Sequence, residues 1–386
     1  MTTYAFETIT AQQALNIQVG DYLTFAGGPA SRVSVSFSPA ELPLPARIVI
    51  TFEGRTVAFG TELSGLSQRG ALEMADGSLL RIGGEASDHL FGGDRHDGLY
   101  GGKGNDSLSG GRGDDRLQGN QGNDELNGGA GSNTLHGGKG DDVIYASAYG
   151  ETRGSWAHGN QGNDEVIGGA GADTLYGGQG NDFLGAKEGD DFLNGDLGDD
   201  DILTGDGDDI ALGGAGNDTL NSSGGHDVLA GGDGNDMLVA YGQGSVLFQG
   251  GAGNDTIVSA SHEQALIYGG EGRDQFEFIA NRGGPIEGSD DVIADWSADD
   301  RFYFAEVSIY SILPEDYAEY VVANYDLAHA IAYSQIRFAG AQYVVTQVGE
   351  DLLVFADTDG NSENGADIAI KLIGRTLADI SLQNFA

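Results

Sequence analysis

Residues 101–109 read GGKGNDSLS and residues 213–221 read GGAGNDTLN, two copies of one nine-residue pattern, Gly-Gly-x-Gly-x-Asp-x-Leu-x. Outward from them, seven such repeats run without a gap over 83–145 and nine more over 159–239, with single repeats at 250–258 and 269–277. Across these eighteen, the sixth position is Asp in all but one, where Asn133 stands, and the eighth is Leu, Ile, Val or Phe in all but one, where Ala211 stands. Low-complexity sequence does not hold two positions in phase over such a length, so the array reads as a stacked repeat architecture. Three interruptions, 146–158, 240–249 and 259–268, separate the blocks. The last two place Phe248 and Ile267 two residues before the next glycine, and are expected to keep the strand and lose the ligands. The first is longer and contains Trp156, so a protruding loop is expected there. All six prolines lie outside 83–277, as strands require, because proline cannot donate to a ladder.

Each repeat divides into a six-residue turn and a three-residue strand. The central strand residue points to one face and its neighbours to the other. The Leu column therefore faces inward, and positions seven and nine are expected to face water. One repeat cannot bury its Leu alone, but two placed back to back can, so two nonapeptides make one coil and coils stack at about 4.8 Å. The glycines let the backbone take φ > 0 and approach the next coil closely. The turns then collect aspartates in columns, where each like-charged pair costs about 1 kcal/mol even in water. A hard divalent cation reverses that sign, and Ca²⁺, which takes six to eight carboxylate and carbonyl oxygens, suits this turn. Residues 83–277 hold 35 Asp and Glu against 8 Lys and Arg, a net −27. Same-side neighbours give about five sites in the first block and about seven in the second, roughly twelve Ca²⁺, nearly enough to neutralise the array.

The whole chain of 386 residues has 18 Lys and Arg against 60 Asp and Glu, a formal net charge of −42. That balance excludes a nucleic-acid partner, whose footprint is basic, and it opposes an anionic membrane surface. Glycine, at 67 residues, is more than twice as frequent as usual. There is no Cys, hence no disulfide framework and no thiolate metal site. No apolar run is long enough to span a bilayer. The first ten residues have neither a basic residue nor an apolar run, so no cleaved signal peptide is expected.

The run of GGxGxDxLx resembles the RTX (repeats-in-toxin) calcium-binding parallel β-roll, over about half the chain. The resemblance implies Ca²⁺ held by the sixth-position aspartates and by backbone carbonyls of the glycine turn. Matched to this sequence, those aspartates are Asp88, Asp97, Asp106, Asp115, Asp124, Asp142, Asp164, Asp173, Asp182, Asp191, Asp200, Asp209, Asp218, Asp227, Asp236, Asp255 and Asp274. Asn133 weakens one site. Ala86 and Arg95 replace a turn glycine in the first two repeats, which sets Asp88 and Asp97 apart. The segment Asp274-Gln275-Phe276-Glu277-Phe278, followed by Asp291-Val292-Ile293-Ala294-Asp295-Trp296, is similar to the one that closes the roll of serralysin-type secreted proteins. That likeness implies type I secretion from a Gram-negative bacterium through an uncleaved C-terminal signal, to which the tail at 377–386 conforms. Folding that waits for extracellular calcium suits such export.

The expected fold class is mainly β. It comprises a small N-terminal β-rich domain (1–82), an RTX parallel β-roll (83–277) and a C-terminal α+β capping and secretion region (278–386). In the first part, Thr10 to Gln13 fits a capping box, Val33, Val35 and Phe37 alternate as in a half-buried strand, and 46–52 and 56–59 suggest further strands. In the last, 315–333 has helical spacing, 343–348 with 352–355 suggests a hairpin, and 366–373 a strand. Asp357 and Asp359 begin an EF-hand-like loop, a further metal candidate to which Asp367 could contribute, but Ser362 and Ile368 break the pattern. The zincin motif fails at Leu266, no Gly-x-Ser-x-Gly occurs, and the Gly-Lys pairs at 102–103 and 138–139 lack the Ser or Thr of a phosphate loop. Pairs such as Asp114 with Asp115 and Asp199 with Asp200 read as turn ligands, not as an acid/base dyad.

These observations lead to the expectation of a non-enzymatic, extracellular calcium-binding structural protein of a surface layer, filament or biofilm matrix. Its partners would be calcium ions, copies of itself or the cell surface, and type I secretion machinery. A calcium-dependent adhesin or lectin-like binder, using 1–82 or the Trp156 segment, is the first alternative. A secreted hydrolase or toxin is the second.

Overall fold

Strands in the computed structural model recur at the nine-residue period and alternate between two faces, so that each pairs with the strand two repeats away. The structure describes the chain apart from residues 1, 19–20, 39–45, 62, 69–71, 262–263, 280–290, 305–316, 324, 337–342, 358–365, 367 and 386. It divides into two compact units, Met1–Leu197 and Gly198–Ala386.

In the first unit, Leu90, Leu108, Leu126, Ile144, Val166 and Leu184 register against one another along one face. Leu99, Leu117, Leu135, Ala157, Leu175 and Leu193 do so along the other. All are buried, and each inward Leu contributes about 1.5–3 kcal/mol of burial. Partners lie 18 residues apart, for example Leu108 and Leu126, which is two nonapeptides per coil. The pairing is parallel throughout.

The loop expected around Trp156 is a strand, Trp156–Gln161. Its Ala157 takes the inward position between Leu135 and Leu175. The extra residues bulge earlier, where Tyr149 is fully exposed. A small inward residue and an altered turn hid a repeat whose strand geometry is intact.

The N-terminal part of this unit builds a parallel sheet (Thr3–Ala5, Tyr22–Phe25, Leu72–Met74) and an antiparallel one (Ser34–Ser38, Arg47–Phe52, Arg55–Phe59). The helix Ala11–Leu15 opens with the capping box expected at Thr10. Phe6, Phe25, Phe52 and Phe59 centre the core. Tyr100, in position nine, was expected to face water. It is instead buried in this core and donates its hydroxyl to the Val33 carbonyl. The N-terminal layer covers that face of the early coils.

In the second unit, Ile202, Leu220, Leu238, Ile257, Phe276 and Phe302 register along one face, and Ala211, Leu229, Phe248, Ile267 and Ile293 along the other. The two ten-residue interruptions thus keep their strands, with Phe248 and Ile267 inward as expected. Coiling continues past 277 through Asp291–Ile293 and Arg301–Phe304. Trp296 stacks on Phe302 at 4.4 Å and Phe385 packs beyond it, closing the end of the coil with rings. The strand Ile368–Leu372 pairs with Asp291–Ile293 and leads to the expected hairpin, Tyr343–Val348 with Asp351–Ala356. The helix expected over 315–333 is a strand, Tyr317–Val322, followed by a shorter helix, Tyr325–Ser334. Tyr320 and Val322 pack on the local core while Val321 is 74% exposed. That period of two outweighs the helical spacing read from the same residues.

Candidate metal centre

The sixth-position aspartates sit at the mouth of each strand, where the chain leaves the turn. In the first unit one column comprises Asp88, Asp106, Asp124, Asp142, Asp164 and Asp182. Each of the first five donates its backbone amide to Oδ1 of the next, at 2.7–2.8 Å. The other column runs Asp97, Asp115, Asn133, Ser155, Asp173 and Asp191, joined in the same way. In the second unit Asp200, Asp218, Asp236, Asp255, Asp274 and Asp300 form one column, and Asp209 donates to Asp227 in the other.

One carboxylate oxygen is therefore used by the ladder. The second, Oδ2, is buried without a hydrogen-bond partner in Asp106, Asp115, Asp124, Asp142, Asp164, Asp218, Asp227, Asp236 and Asp255. A buried carboxylate oxygen left in this state costs free energy, and a cation is the group that would relieve it. Backbone oxygens gather at the same place. A Cβ at Gly101 would overlap Asp106 Oδ2 and stand 2.8 Å from the Gly119 carbonyl oxygen, so the first glycine is required for close approach. The second and fourth positions are required for positive φ, as at Gly102 (110°) and Gly104 (98°). Among the described residues no three His, Cys, Asp or Glu side chains converge. An ion here would be held by carboxylates of stacked turns together with backbone carbonyls, an all-oxygen set that fits Ca²⁺.

Burial, opposed by the amide hydrogen bond, raises the Asp106, Asp115, Asp218 and Asp255 carboxyls to about 7. Asp142 rises to about 8 for the same reason, with the Asp164 and Asp124 carboxylates adding to the effect. Asp124, Asp164 and Asp274 rise to about 6. Without an ion, these carboxyls hold their protons to a higher pH than an exposed Asp does.

Not every expected ligand shares this state. Asp97 accepts amides on both oxygens, from Leu79 and Gly93, and Gly84 donates to Asp88 Oδ2. These are the two repeats without glycine at the fourth position, where Ala86 and Arg95 stand. Asp173 is likewise satisfied on both oxygens. Asp182, Asp191, Asp200 and Asp209 are buried members of the columns. Asp357 is buried at the end of its strand, whereas Asp359 and Asp367 lie outside the described residues.

Sequence reading missed Ser155, which holds a column position inside the interruption. It also missed Asp291 and Asp300, whose carboxylates accept the amides of Ala265 and Asp274, and Asp295, which accepts those of Gly269 and Gly270. The triplets Asp291-Val292-Ile293 and Asp300-Arg301-Phe302 repeat the Asp-x-apolar signature without a glycine turn before it. That signature was the available signal.

A family model for the RTX calcium-binding nonapeptide repeat (4 copies) matches residues 82–117, 118–148, 149–184, 186–211, 203–238 and 242–261. No curated protein matches the chain. Among solved structures, the crystal structure of extracellular lipase LipA from Serratia marcescens is similar at 17% identity over 60% of this chain and 42% of that one, with a TM-score of 0.13. The chain thus spans less than half the length of that lipase, and a likeness this slight bears on neither fold nor activity.

Proposed function

The chain belongs, through its residues 82–261, to the RTX calcium-binding nonapeptide-repeat family, and from that premise we propose that it is a secreted, non-enzymatic structural protein that folds on calcium outside the cell. The observation that carries this reading is the set of buried Oδ2 atoms without partners, stacked coil upon coil. A net charge of −42 opposes compaction until cations bind. A chain without Cys that stays open at low calcium suits export before folding. A role in a surface layer, filament or matrix is supported by the strand Tyr317–Val322, which among the described residues stands at the end of its sheet, the place where a further chain can add a strand.

The test is a calcium titration of chelator-stripped protein from zero to about 10 mM, the range of extracellular modules. Circular dichroism would report folding, and light scattering with negative-stain microscopy would report assembly. Gain of β structure with growth into filaments or sheets is expected. Gain of structure in a chain that stays monomeric would overturn the assembly role, and absence of calcium-dependent folding would overturn the whole reading.

A second reading, a calcium-dependent adhesin or lectin-like binder, is favoured by a row of rings on the outer face of the first unit. His136, Trp156 and Tyr176 follow at 4.8 and 5.8 Å, with His158 5.5 Å from Tyr176 and Phe192 beyond. Asn160 and Gln161 flank the rings and line the grooves beside them. Retention of the calcium-loaded protein on immobilised polysaccharide, lost on Trp156→Ala, would favour this reading over assembly.

A further inference from the structure

Three consecutive turns in one column of the first unit depart from the rest, each in a different way. At 128–133 the sixth residue is Asn133. Its Oδ1 keeps the ladder bond from the Asp115 amide, but its Nδ2 donates to the carbonyls of Ala146, Gly131 and Gly129 at 3.2, 3.3 and 3.4 Å. One coil on, Ser155 holds the position. Its Oγ accepts the Asn133 amide at 3.0 Å, lies 3.0 Å from Ser147 Oγ and reaches the Gly131 carbonyl at 3.4 Å. In the third turn Asp173 is a carboxylate, but amides from Ser155 and Gly169 occupy both oxygens at 2.6 Å. Beside it Lys187, at φ 87° where the repeat calls for glycine, donates its ammonium to the Gly168 carbonyl at 2.9 Å.

The turn carbonyls that a cation would need are here already bonded to protein donors. An amide N–H or an ammonium presents a positive hydrogen to the same oxygens and repels a divalent ion from them. On the opposite face of the same coils, Asp106, Asp124, Asp142 and Asp164 each keep a buried Oδ2 without a partner. We propose that the turns at 128–133, 150–155 and 168–173 hold no calcium, the Asn133 amide, the Ser155 hydroxyl and the Lys187 ammonium standing in for ions. The two faces of this unit are then unequal: one is laced by calcium from Asp106 to Asp164, and the other is closed in its middle by the protein's own side chains.

This inference rests on the calcium reading and is tested by counting ions on the full chain. Native mass spectrometry at saturating calcium would compare the natural protein with Asp124→Asn, Asp173→Asn, Asn133→Asp and Lys187→Gly. Asp124→Asn is expected to lower the count by at least one and Asp173→Asn to leave it unchanged. Asn133→Asp is expected to add one ion and to steepen the calcium dependence of folding, because its new Oδ2 would face three carbonyls. Lys187→Gly, which restores the repeat, is expected to keep or raise the count. Loss of an ion in Asp173→Asn or in Lys187→Gly would overturn the proposal while leaving the calcium reading intact. A natural protein that binds no calcium would overturn both. If Asn133→Asp does not fold even with calcium, the Asp173→Asn and Lys187→Gly counts still decide.

Discussion

At the scale of single residues, the turn is built from two different uses of glycine and one divided carboxylate. The first glycine gives room for the aspartate, and the second and fourth allow positive φ. Gly102→Ala, at φ 110°, places a Cβ in a left-handed conformation and is expected to cost about 1–2 kcal/mol in the calcium-loaded protein, read from denaturant melts. The aspartates set the pH dependence. The Asp106, Asp124 and Asp142 carboxyls are raised from 3.8 to between about 6 and 8 by burial, so from about pH 4 up to about 8 the folded chain holds more protons than the unfolded one. Ion-free stability is therefore greatest near pH 4 and falls as pH rises toward 8. In chelator, circular dichroism is expected to show more β structure at pH 4.5 than at pH 8. Calcium added at pH 7 is expected to release protons, measured by titration calorimetry in buffers of different ionisation heat.

At the scale of elements, each three-residue strand is too short to stand alone, and its inward residue is the main local reward. Leu126 lies fully buried between Leu108 and Ile144. Leu126→Ala leaves a cavity in two coil interfaces and is expected to cost about 2–5 kcal/mol of the calcium-loaded stability. The closing rings carry similar weight. Trp296 is buried against Phe276 and Phe302, and Trp296→Ala is expected to cost about 3–5 kcal/mol. Hydrogen exchange should place that loss in 275–278 and 301–304, with the ion count unchanged. Strand elements with a glycine turn before them were legible in the sequence, because period and phase are local. Trp156–Gln161, Asp291–Ile293 and Arg301–Phe304 were not, because their turns are irregular and only the register with neighbouring coils identifies them.

At the scale of the whole molecule, the excess of acidic residues repels itself and opposes a compact chain. With 60 acidic residues against 18 basic ones, the ion-free chain is expected to be expanded in chelator at neutral pH and to contract on calcium addition, read as a fall in hydrodynamic radius. High salt should replace part of that contraction by screening, without restoring the strand signal, because monovalent ions do not bind the buried Oδ2 atoms as a divalent ion does. The nine-residue phase, the inward Leu column, the glycine turns and the aspartate columns were determined by the sequence alone, because each depends on residues near one another in the chain. Only the tertiary structure decided which aspartates keep an oxygen available and which do not. Asp124 and Asp173 occupy the same place in the repeat, yet Asp124 Oδ2 has no partner and Asp173 Oδ2 accepts the Gly169 amide. Lys187 and Ser155, which shape the surroundings of Asp173, come from neighbouring coils. The number of oxygens left for an ion is set by what stacks above and below each turn, and a repeat motif carries no record of its neighbours.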